Sequence, residues 1–352
     1  MPVPSFRALA LIAVLAFGAL VSGRIERLIG SPDQRFPAIK GLKFAPTRKV
    51  RLHRVWFLGK EGVQFMKHIA LLSIAAISAY AEPIKVLLVD GQNNHAWAQT
   101  SPILKAILEE GGLCKVDVAT SPDNKAADDA WAAWRPKFSD YQVVVSNYNG
   151  KLWPDEVRDA FEKYVKGGGG FVPVHAANNS FPEWLAYNEM IGLGGWGGRN
   201  EKSGPYMRLR DNKWTMDTTP GSGGHHGAKH EYVMVAQAPT HPIMVGLPAK
   251  WLHASDELYD RLRGPAKNLT VLASANSSKD KGGSGEDEPL LMTIDYGKGR
   301  VFHTALGHDT TSVKCVGFAT TLRRGTEWAA TGKVTSAVPA EFPTETAIKS
   351  RP

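Results

Sequence analysis

The chain has 352 residues, enough for one large domain or two small ones, and its composition is that of an ordinary globular protein. The net charge of +8 arises wholly in residues 1–65, where 11 Lys and Arg stand against 3 acidic residues. The high isoelectric point is therefore no argument for nucleic-acid binding by the folded part. Cys114 and Cys315 are too few for a disulfide scaffold, and we expect both in the core, a single disulfide being the alternative.

Two apolar runs near the amino terminus compete as targeting signals. Residues 8–21 are short for the ~20 residues that a membrane-spanning helix needs. The second run begins at Met66 and ends in an A-x-A site at Ala81, as in a signal peptide. We predict that residues 1–65 are an upstream basic extension, that 66–81 are the signal peptide, and that the protein is exported, periplasmic or extracellular. A membrane anchor at 8–21 is the alternative.

Short apolar runs alternate with helix-like segments in the first half of the domain. The predicted strands are 84–89, 115–119, 141–146 and 171–174, and the predicted helices are 98–110, 126–134, 154–166 and 181–191. Continuous apolar runs of this length favour buried parallel strands. Strands that alternate with helices predict an α/β domain with a doubly wound, mostly parallel sheet.

The pattern then breaks at residues 192–224, which are rich in Gly, Trp, Arg and Asn and which we interpret as an insertion or lid-like loop. Further predicted strands are 230–235, 269–274, 289–295 and 300–304, the last two forming a hairpin, and a closing helix covers 313–328. The stretch 251–255 is interpreted as a loop. We predict one domain over residues 82–335 and a Pro-rich tail over 336–352 without regular structure.

The polar residues that follow the predicted parallel strands are the first candidates for a site. His95 follows the first strand, Asn149 the third, and His175 the fourth. The carboxyl ends of parallel strands share one edge of the sheet, where ligands bind, so we expect these side chains to converge. Trp97 and Asn178, close to them in sequence, are predicted to contact substrate. For His175 alone, a hydrogen-bonded imidazole that caps a strand is the competing interpretation.

Three later segments add titratable groups. His226 and His230 have the spacing of a helical metal pair, but the flanking glycines argue against a helix, so we expect one of them, predicted as His230, to join His175 through the fold. Glu257 suits a general base, a metal ligand or an acceptor for sugar hydroxyls, or it belongs to a helix N-terminus. His308 stands beside Asp309, whose carboxylate can orient it.

Other signals limit the chemistry. His303 lies inside a strand pattern and is expected to be a core imidazole. The sequence has no G-x-S-x-G, Walker A, G-x-G-x-x-G or C-x-x-C motif, so nucleophilic acyl transfer, nucleotide binding and zinc-ribbon readings have no support.

Six segments in order resemble the ThuA-like (trehalose-utilisation) family: GGGFVPVHAA, HGAKHEY, THPIMVGLP, DELYDRLRGPAKN, YGKGRVFHTALGHD and RGTEWAATGKVT. The resemblance covers residues 84–335. It implies a class I glutamine amidotransferase-like, flavodoxin-like fold with helices on both faces of the sheet. In amidotransferases a cysteine nucleophile follows strand four; here that place is His175, which argues against glutamine hydrolysis. The resemblance also implies a role in the breakdown of glycosides, including 3-keto sugars made by partner oxidoreductases, and metal dependence in some members.

We therefore predict an exported enzyme of carbohydrate catabolism that acts on a glycoside or keto-sugar. The predicted catalytic residues are His175, Glu257 and His308, and a divalent cation (Zn, Mn, Fe or Ni) is expected on His175, His230 and His308. The expected partners are a small carbohydrate and a sugar oxidoreductase of the same pathway, without nucleic acid, nucleotide cofactor or membrane for the mature domain; a homo-oligomer is possible in principle. A non-catalytic sugar-binding module and a metal-independent acid–base hydrolase are the alternatives.

Overall fold

The computed structural model describes residues 82–352. The predicted extension (1–65), the signal peptide (66–81) and the alternative anchor (8–21) lie outside the described residues. Within residues 82–352, no helix combines the length and the apolar character that crossing a membrane requires.

The first half of the domain alternates strands with helices, as its sequence pattern predicts. Its elements are β1 (Ile84–Asp90), α1 (Trp97–Glu109), β2 (Cys114–Thr120), α2 (Asp128–Ala133), β3 (Val143–Ser146), α3 (Asp155–Lys166), β4 (Gly170–Pro173) and α4 (Leu185–Ile191). β1 pairs in parallel with both β2 and β3, and β3 pairs in parallel with β4. The predicted parallel sheet is confirmed in this half.

The second half extends the same sheet. Its elements are β5 (Tyr206–Arg210), β6 (Lys213–Asp217), β7 (His225–His226), β8 (His230–Ala236), β9 (Lys250–Asp256), β10 (Tyr259–Asp260), β11 (Leu269–Asn276), β12 (Asp287–Tyr296), β13 (Gly299–Thr304), α5 (Thr310–Val313) and α6 (Val316–Thr331). The main sheet has the order β2-β1-β3-β4-β13-β12-β11-β8-β9. β13 is parallel to β4, and the four pairings beyond it are antiparallel, so only β12 and β8 of these nine strands run in reverse. The sheet is therefore mostly parallel in direction, as predicted.

Helices cover both faces of the sheet, and two adjacent residues of β4 show why. Successive residues of a strand point to opposite faces. A Cβ at Gly170 would lie 2.7 Å from the backbone of Ala329 in α6. The next residue, Phe171, packs its ring 5.0 Å from that of Phe161 in α3 and 5.8 Å from that of Tyr187 in α4. The glycine thus admits a helix close to one face, and the phenylalanine fills the core on the other.

The insertion at residues 192–224 contains a hairpin that the sequence analysis missed. β5 and β6 pair in antiparallel register and are joined by Asp211 and Asn212, whose φ angles are +49° and +60°. Two consecutive residues with positive φ are typical of a tight hairpin turn, and Asn and Asp tolerate that conformation. The segment interpreted as an insertion or lid-like loop thus contains regular structure that the sequence analysis did not predict.

The expected loop at 251–255 is wrong, because β9 occupies it. This strand pairs with β8 at one edge of the sheet, and its outer edge receives the tail, since the Leu252 amide donates to the Thr344 carbonyl at 2.7 Å. The tail otherwise lacks helices and strands apart from a bridge between Ser350 and Cys315. Cys114 and Cys315 are free and buried, as expected.

A glycine in α6 provides a test of the packing between the helix and the sheet. A Cβ at Gly325 would lie 2.0 Å from the ring of Phe302 in β13. Alanine normally stabilises a helix interior by about 1 kcal/mol relative to glycine. We expect Gly325→Ala instead to lower the free energy of unfolding by about 1–3 kcal/mol through overpacking, measured in urea. Phe302→Leu in the same chain should relieve part of that cost, whereas a fully stable Gly325→Ala would contradict this packing.

Candidate functional site

His175 lies directly after β4 at a strained backbone position. Its φ is +48°, uncommon for a residue with a side chain and a feature that clusters at functional sites, and only 2% of the residue is exposed. Nδ1 lies 2.8 Å from the carbonyl oxygen of Ala305. A carbonyl only accepts hydrogen bonds, so Nδ1 carries a hydrogen, and in the neutral tautomer this leaves the lone pair on Nε2.

Glu257, directly after β9, is surrounded by imidazoles. Its Oε2 lies 3.5 Å from His175 Nε2, and its Oε1 lies 3.2 Å from His308 Nε2 and 3.6 Å from His226 Nε2. Burial by itself raises the pKa of Glu257, but the neighbouring imidazoles of His175, His308 and His226 outweigh it, so the pKa lies below its usual range. The group is therefore a carboxylate at neutral pH.

His95, from the loop after β1, completes the cluster. Its ring centroid lies 4.9 Å from that of His175 and 4.5 Å from that of His308. Burial and these two neighbouring imidazoles lower the pKa of His95 to about 4, so it is neutral at physiological pH. Its Nε2 lies 3.1 Å from the hydroxyl of Tyr259, whose ring stacks on His175 at 4.1 Å.

His226 and His308 are oriented much as His175 is. His226 Nδ1 lies 2.7 Å from the carbonyl oxygen of Gly227, and His308 Nδ1 lies 3.3 Å from Asp309 Oδ2. In all three rings Nε2 is the nitrogen nearer to Glu257. Of these atoms, His175 Nε2, His308 Nδ1 and Glu257 Oε2 are buried without a hydrogen-bond partner. In the neutral tautomer, the facing lone pairs of His175 Nε2 and Glu257 Oε2 need a proton or a cation between them.

One subset of the cluster has the spacing of a metal site. His95, Glu257 and His308 each offer one ligand atom, and these atoms lie within 4.8 Å of one another. Neutral imidazole with carboxylate is a common ligand set for transition metals. This set shares only His308 with the predicted ligands His175, His230 and His308.

A pocket of about 320 Å³ opens onto the cluster. It is lined by polar side chains and two aromatic rings: Asn94, His95, Asn149, Asn179, Trp196, His226, Glu257 and Tyr259, together with Gly197. A larger cavity of about 660 Å³ lies elsewhere, beside the amino ends of β3 and β4, and is lined by residues such as Lys137, Tyr164 and Gly168. The smaller pocket is the one that meets the titratable groups.

The structure brings together five of the predicted site residues, namely His95, Asn149, His175, Glu257 and His308. Three others lie elsewhere. Trp97 begins α1 and does not line the pocket. Asn178 is buried, with Nδ2 3.0 Å from His303 Nε2. His230 Nδ1 lies 2.7 Å from the Ala228 carbonyl oxygen, and the ring of His230 packs on that of Tyr232.

The histidine that joins the cluster from the HGAKH segment is His226, not His230. β7 pairs with β10 so that His226 stands opposite Tyr259, and both side chains face the pocket. Tyr259, Asn94 and Asn179 were missed by the sequence analysis. Tyr259 carried a usable signal, because it lies two residues after Glu257, the spacing that puts two side chains on one side of an extended chain.

His303 is a core imidazole, as expected. It is fully buried, and its Nδ1 lies 2.8 Å from the Ile191 carbonyl oxygen. Burial lowers its pKa to about 4, so the ring is neutral.

Behind the cluster lies a second buried acid. Asp256 and His253 are both fully buried, with Oδ2 and Nε2 3.0 Å apart. Burial by itself disfavours both charges, but each partner stabilises the other, so the pKa of Asp256 is lowered and that of His253 is raised. The pair supports the loop that carries Glu257.

The chain matches the family model described as "ThuA: Trehalose utilisation" over residues 85–329. A crystal structure of a ThuA-like protein from Parabacteroides merdae is 49% identical, with a TM-score of 0.74, over 76% of this chain and 98% of that one. A ThuA-like protein from Bacteroides uniformis is 19% identical, with a TM-score of 0.49, over 74% of this chain and 97% of that one. No curated protein matches the chain.

The fold and the match to the Parabacteroides merdae structure define the class as an α/β protein with a mostly parallel sheet and helices on both faces, as predicted. The chain belongs to the ThuA family. At the end of β4 it carries His175.

Two adjacent asparagines allow a contact in the core to be distinguished from a residue at the pocket by their effects on stability. The Oδ1 atoms of both are buried without a partner, but Asn178 is fully buried with Nδ2 paired to His303, whereas Asn179 lines the pocket. We expect Asn178→Ala to lower the free energy of unfolding by about 1–3 kcal/mol, because it orphans the His303 ring nitrogen, and Asn179→Ala to cost less. Denaturant titration of both variants measures this difference, and the reverse order would contradict the assignment.

Proposed function

We propose that the domain is a metal-dependent enzyme of carbohydrate catabolism that acts on a glycoside or keto-sugar. The observation that carries the proposal is the approach of His95, Glu257 and His308, whose ligand atoms lie within 4.8 Å of one another. Beside them, His175 Nε2 and Glu257 Oε2 are buried 3.5 Å apart without a hydrogen-bond partner. A divalent cation bound to Glu257 would offset the cost of burying this carboxylate.

The residues present fit such a cation. His95, Glu257 and His308 would hold it, and three protein ligands leave a coordination position open for substrate, as in catalytic rather than structural sites. Asp309 stands behind His308 at 3.3 Å, in the way that carboxylates orient ligating histidines. When bound, such a metal polarises a sugar carbonyl or hydroxyl and lowers the barrier to removal of a neighbouring proton.

We assign proton transfer to His175. The Ala305 carbonyl fixes its Nδ1–H, so in the neutral tautomer the Nε2 lone pair faces Glu257, which lines the pocket, and can accept a proton that reaches it through this carboxylate. The stacked ring of Tyr259 limits its rotation. His226 lines the pocket beside Glu257 and is placed to hydrogen-bond a substrate hydroxyl.

The pocket suits an uncharged sugar unit. Asn94, Asn149 and Asn179 offer amide groups that both donate and accept, which matches hydroxyl groups. Trp196 offers a ring against which a sugar can pack. Among the described residues that line the pocket there is no Lys or Arg to neutralise a phosphate. The family description, trehalose utilisation, supports the same substrate class.

Export and a partner oxidoreductase that supplies a keto-sugar remain part of the proposal. They rest on the A-x-A site at Ala81 and on the family resemblance.

A metal-independent acid–base hydrolase is the second candidate, and one observation favours it. The same 3.5 Å contact between His175 and Glu257 suits a shared proton as well as a cation. Activity that survives exhaustive chelation would support this candidate.

Metal binding is the first test. Residues 82–352, made without a His tag and incubated with Zn, Mn, Fe or Ni salts, should bind near-stoichiometric metal by mass spectrometry. We expect His95→Ala, Glu257→Gln and His308→Ala to weaken the metal Kd by more than about 100-fold, since even partners of ligands contribute ~10–100-fold.

Two histidines of the same segment serve as matched controls. His225 faces away from the pocket, with Nδ1 2.8 Å from Asp260, and His230 packs on Tyr232. His225→Ala and His230→Ala should bind metal as the parent does. Absence of metal from the parent with all four salts would refute the metal proposal, and loss in His230→Ala would restore His230 as a ligand.

Sugar recognition is tested at Trp196. Its ring lies 4.6 Å from that of Tyr259 at the pocket, whereas Trp214 lies on β6 outside the pocket lining. With trehalose and its 3-keto derivative as probes, we expect Trp196→Ala to raise Kd or KM about 3–10-fold through lost stacking, and Trp214→Ala to leave both unchanged. Saturable binding without turnover would favour the sugar-binding module, and no binding of either probe would contradict this substrate class.

A further inference from the structure

Asp256 makes an unusual set of contacts directly behind the cluster. Its Oδ1 accepts from the backbone amides of Glu257 at 2.9 Å and His308 at 3.1 Å. Its Oδ2 accepts from the amide of Gly307 at 2.8 Å and from His253 Nε2 at 3.0 Å. The side chain is fully buried, so water does not compete for these four hydrogen bonds.

These amides belong to two loops that follow strands which are not neighbours in the sheet. Glu257 follows β9, and Gly307 and His308 follow β13, and three strands lie between β9 and β13 in the sheet order. Gly307 has a φ of +118°, a conformation that residues with a side chain rarely adopt. This backbone turn lets two successive amides reach the same carboxylate.

We propose that Asp256 is a positioning residue that sets the separation of Glu257 and His308 by holding their backbone amides on one carboxylate. The inference rests on the proposed function, because it takes Glu257 and His308 as metal ligands. Asp256 contacts neither the pocket nor the ligand atoms, so it acts through the backbone. Groups that hold metal ligands in place through hydrogen bonds typically change metal affinity by about 10–100-fold when they are replaced.

The variant that tests this is Asp256→Asn. An amide keeps the size of the side chain, but its NH₂ group would face N–H donors instead of accepting from them. We expect the metal Kd, measured by competition titration, to weaken by about 10–100-fold relative to the parent. We also expect amide hydrogen exchange in 256–258 and 305–309 to accelerate by about tenfold or more.

Glu327→Gln is the matched control. Glu327 is also a buried carboxylate with four hydrogen bonds, from the amides and hydroxyls of Thr335 and Ser336 at 2.5–3.0 Å. It lies in α6 near Ala329, which packs on Gly170 at the amino end of β4, at the edge opposite the cluster. Glu327→Gln should lower Tm but leave metal affinity and exchange in the two loops unchanged.

The outcomes separate this inference from the metal proposal. If the parent binds metal and Asp256→Asn binds it as tightly as Glu327→Gln does, the positioning role is overturned. If the parent binds no metal, the metal proposal fails, and hydrogen exchange alone tests the positioning role of Asp256. Unchanged exchange in both loops of Asp256→Asn would then overturn that role as well. If Asp256→Asn lacks the near-UV circular dichroism of the folded parent, Asp256→Glu replaces it, because it keeps the charge and displaces the carboxylate; the same losses are expected.

Discussion

The buried carboxylate of Glu257 needs a compensating positive charge, and imidazoles from separate parts of the chain surround it. His175, His226 and His308 surround its two oxygens at 3.2–3.6 Å. An unpaired charge at this depth would cost several kcal/mol. The elements that carry these residues are therefore tied together by one electrostatic requirement. The same arrangement that makes the site costly to leave empty makes it suited to a cation.

The sheet explains how distant residues meet. β1, β4, β13 and β9 run in one direction, so His95, His175, His308 and Glu257, which follow them, emerge at the same edge. The positive φ of His175 turns its ring toward the others. The buried Asp256 then joins the loops after β9 and β13, which lie at different positions along the sheet. Strand direction supplies the approximate convergence, and buried hydrogen bonds supply the final spacing.

Sequence reasoning succeeded for residues whose position follows from strand direction alone. His95, Asn149 and His175 follow parallel strands, and apolar runs made those strands visible. It succeeded less well where the outcome depends on which side of a strand a residue faces. Whether His226 or His230 faces the pocket depends on the pairing of β7 with β10, a contact between segments more than thirty residues apart. Asn178 and Asn179 are a similar case, because a single turn of the backbone places these adjacent side chains in different surroundings.

Local apolar patterns and contiguous motifs were enough to predict the parallel half of the sheet, the free buried cysteines, the core role of His303, and the family. The folded chain was needed to show that β9 is an edge strand, that residues 206–217 form a hairpin, and that His226 and Tyr259 belong to the site. These features depend on pairing between segments far apart in the chain. Such pairing is fixed by burial and by hydrogen bonds that no single segment encodes.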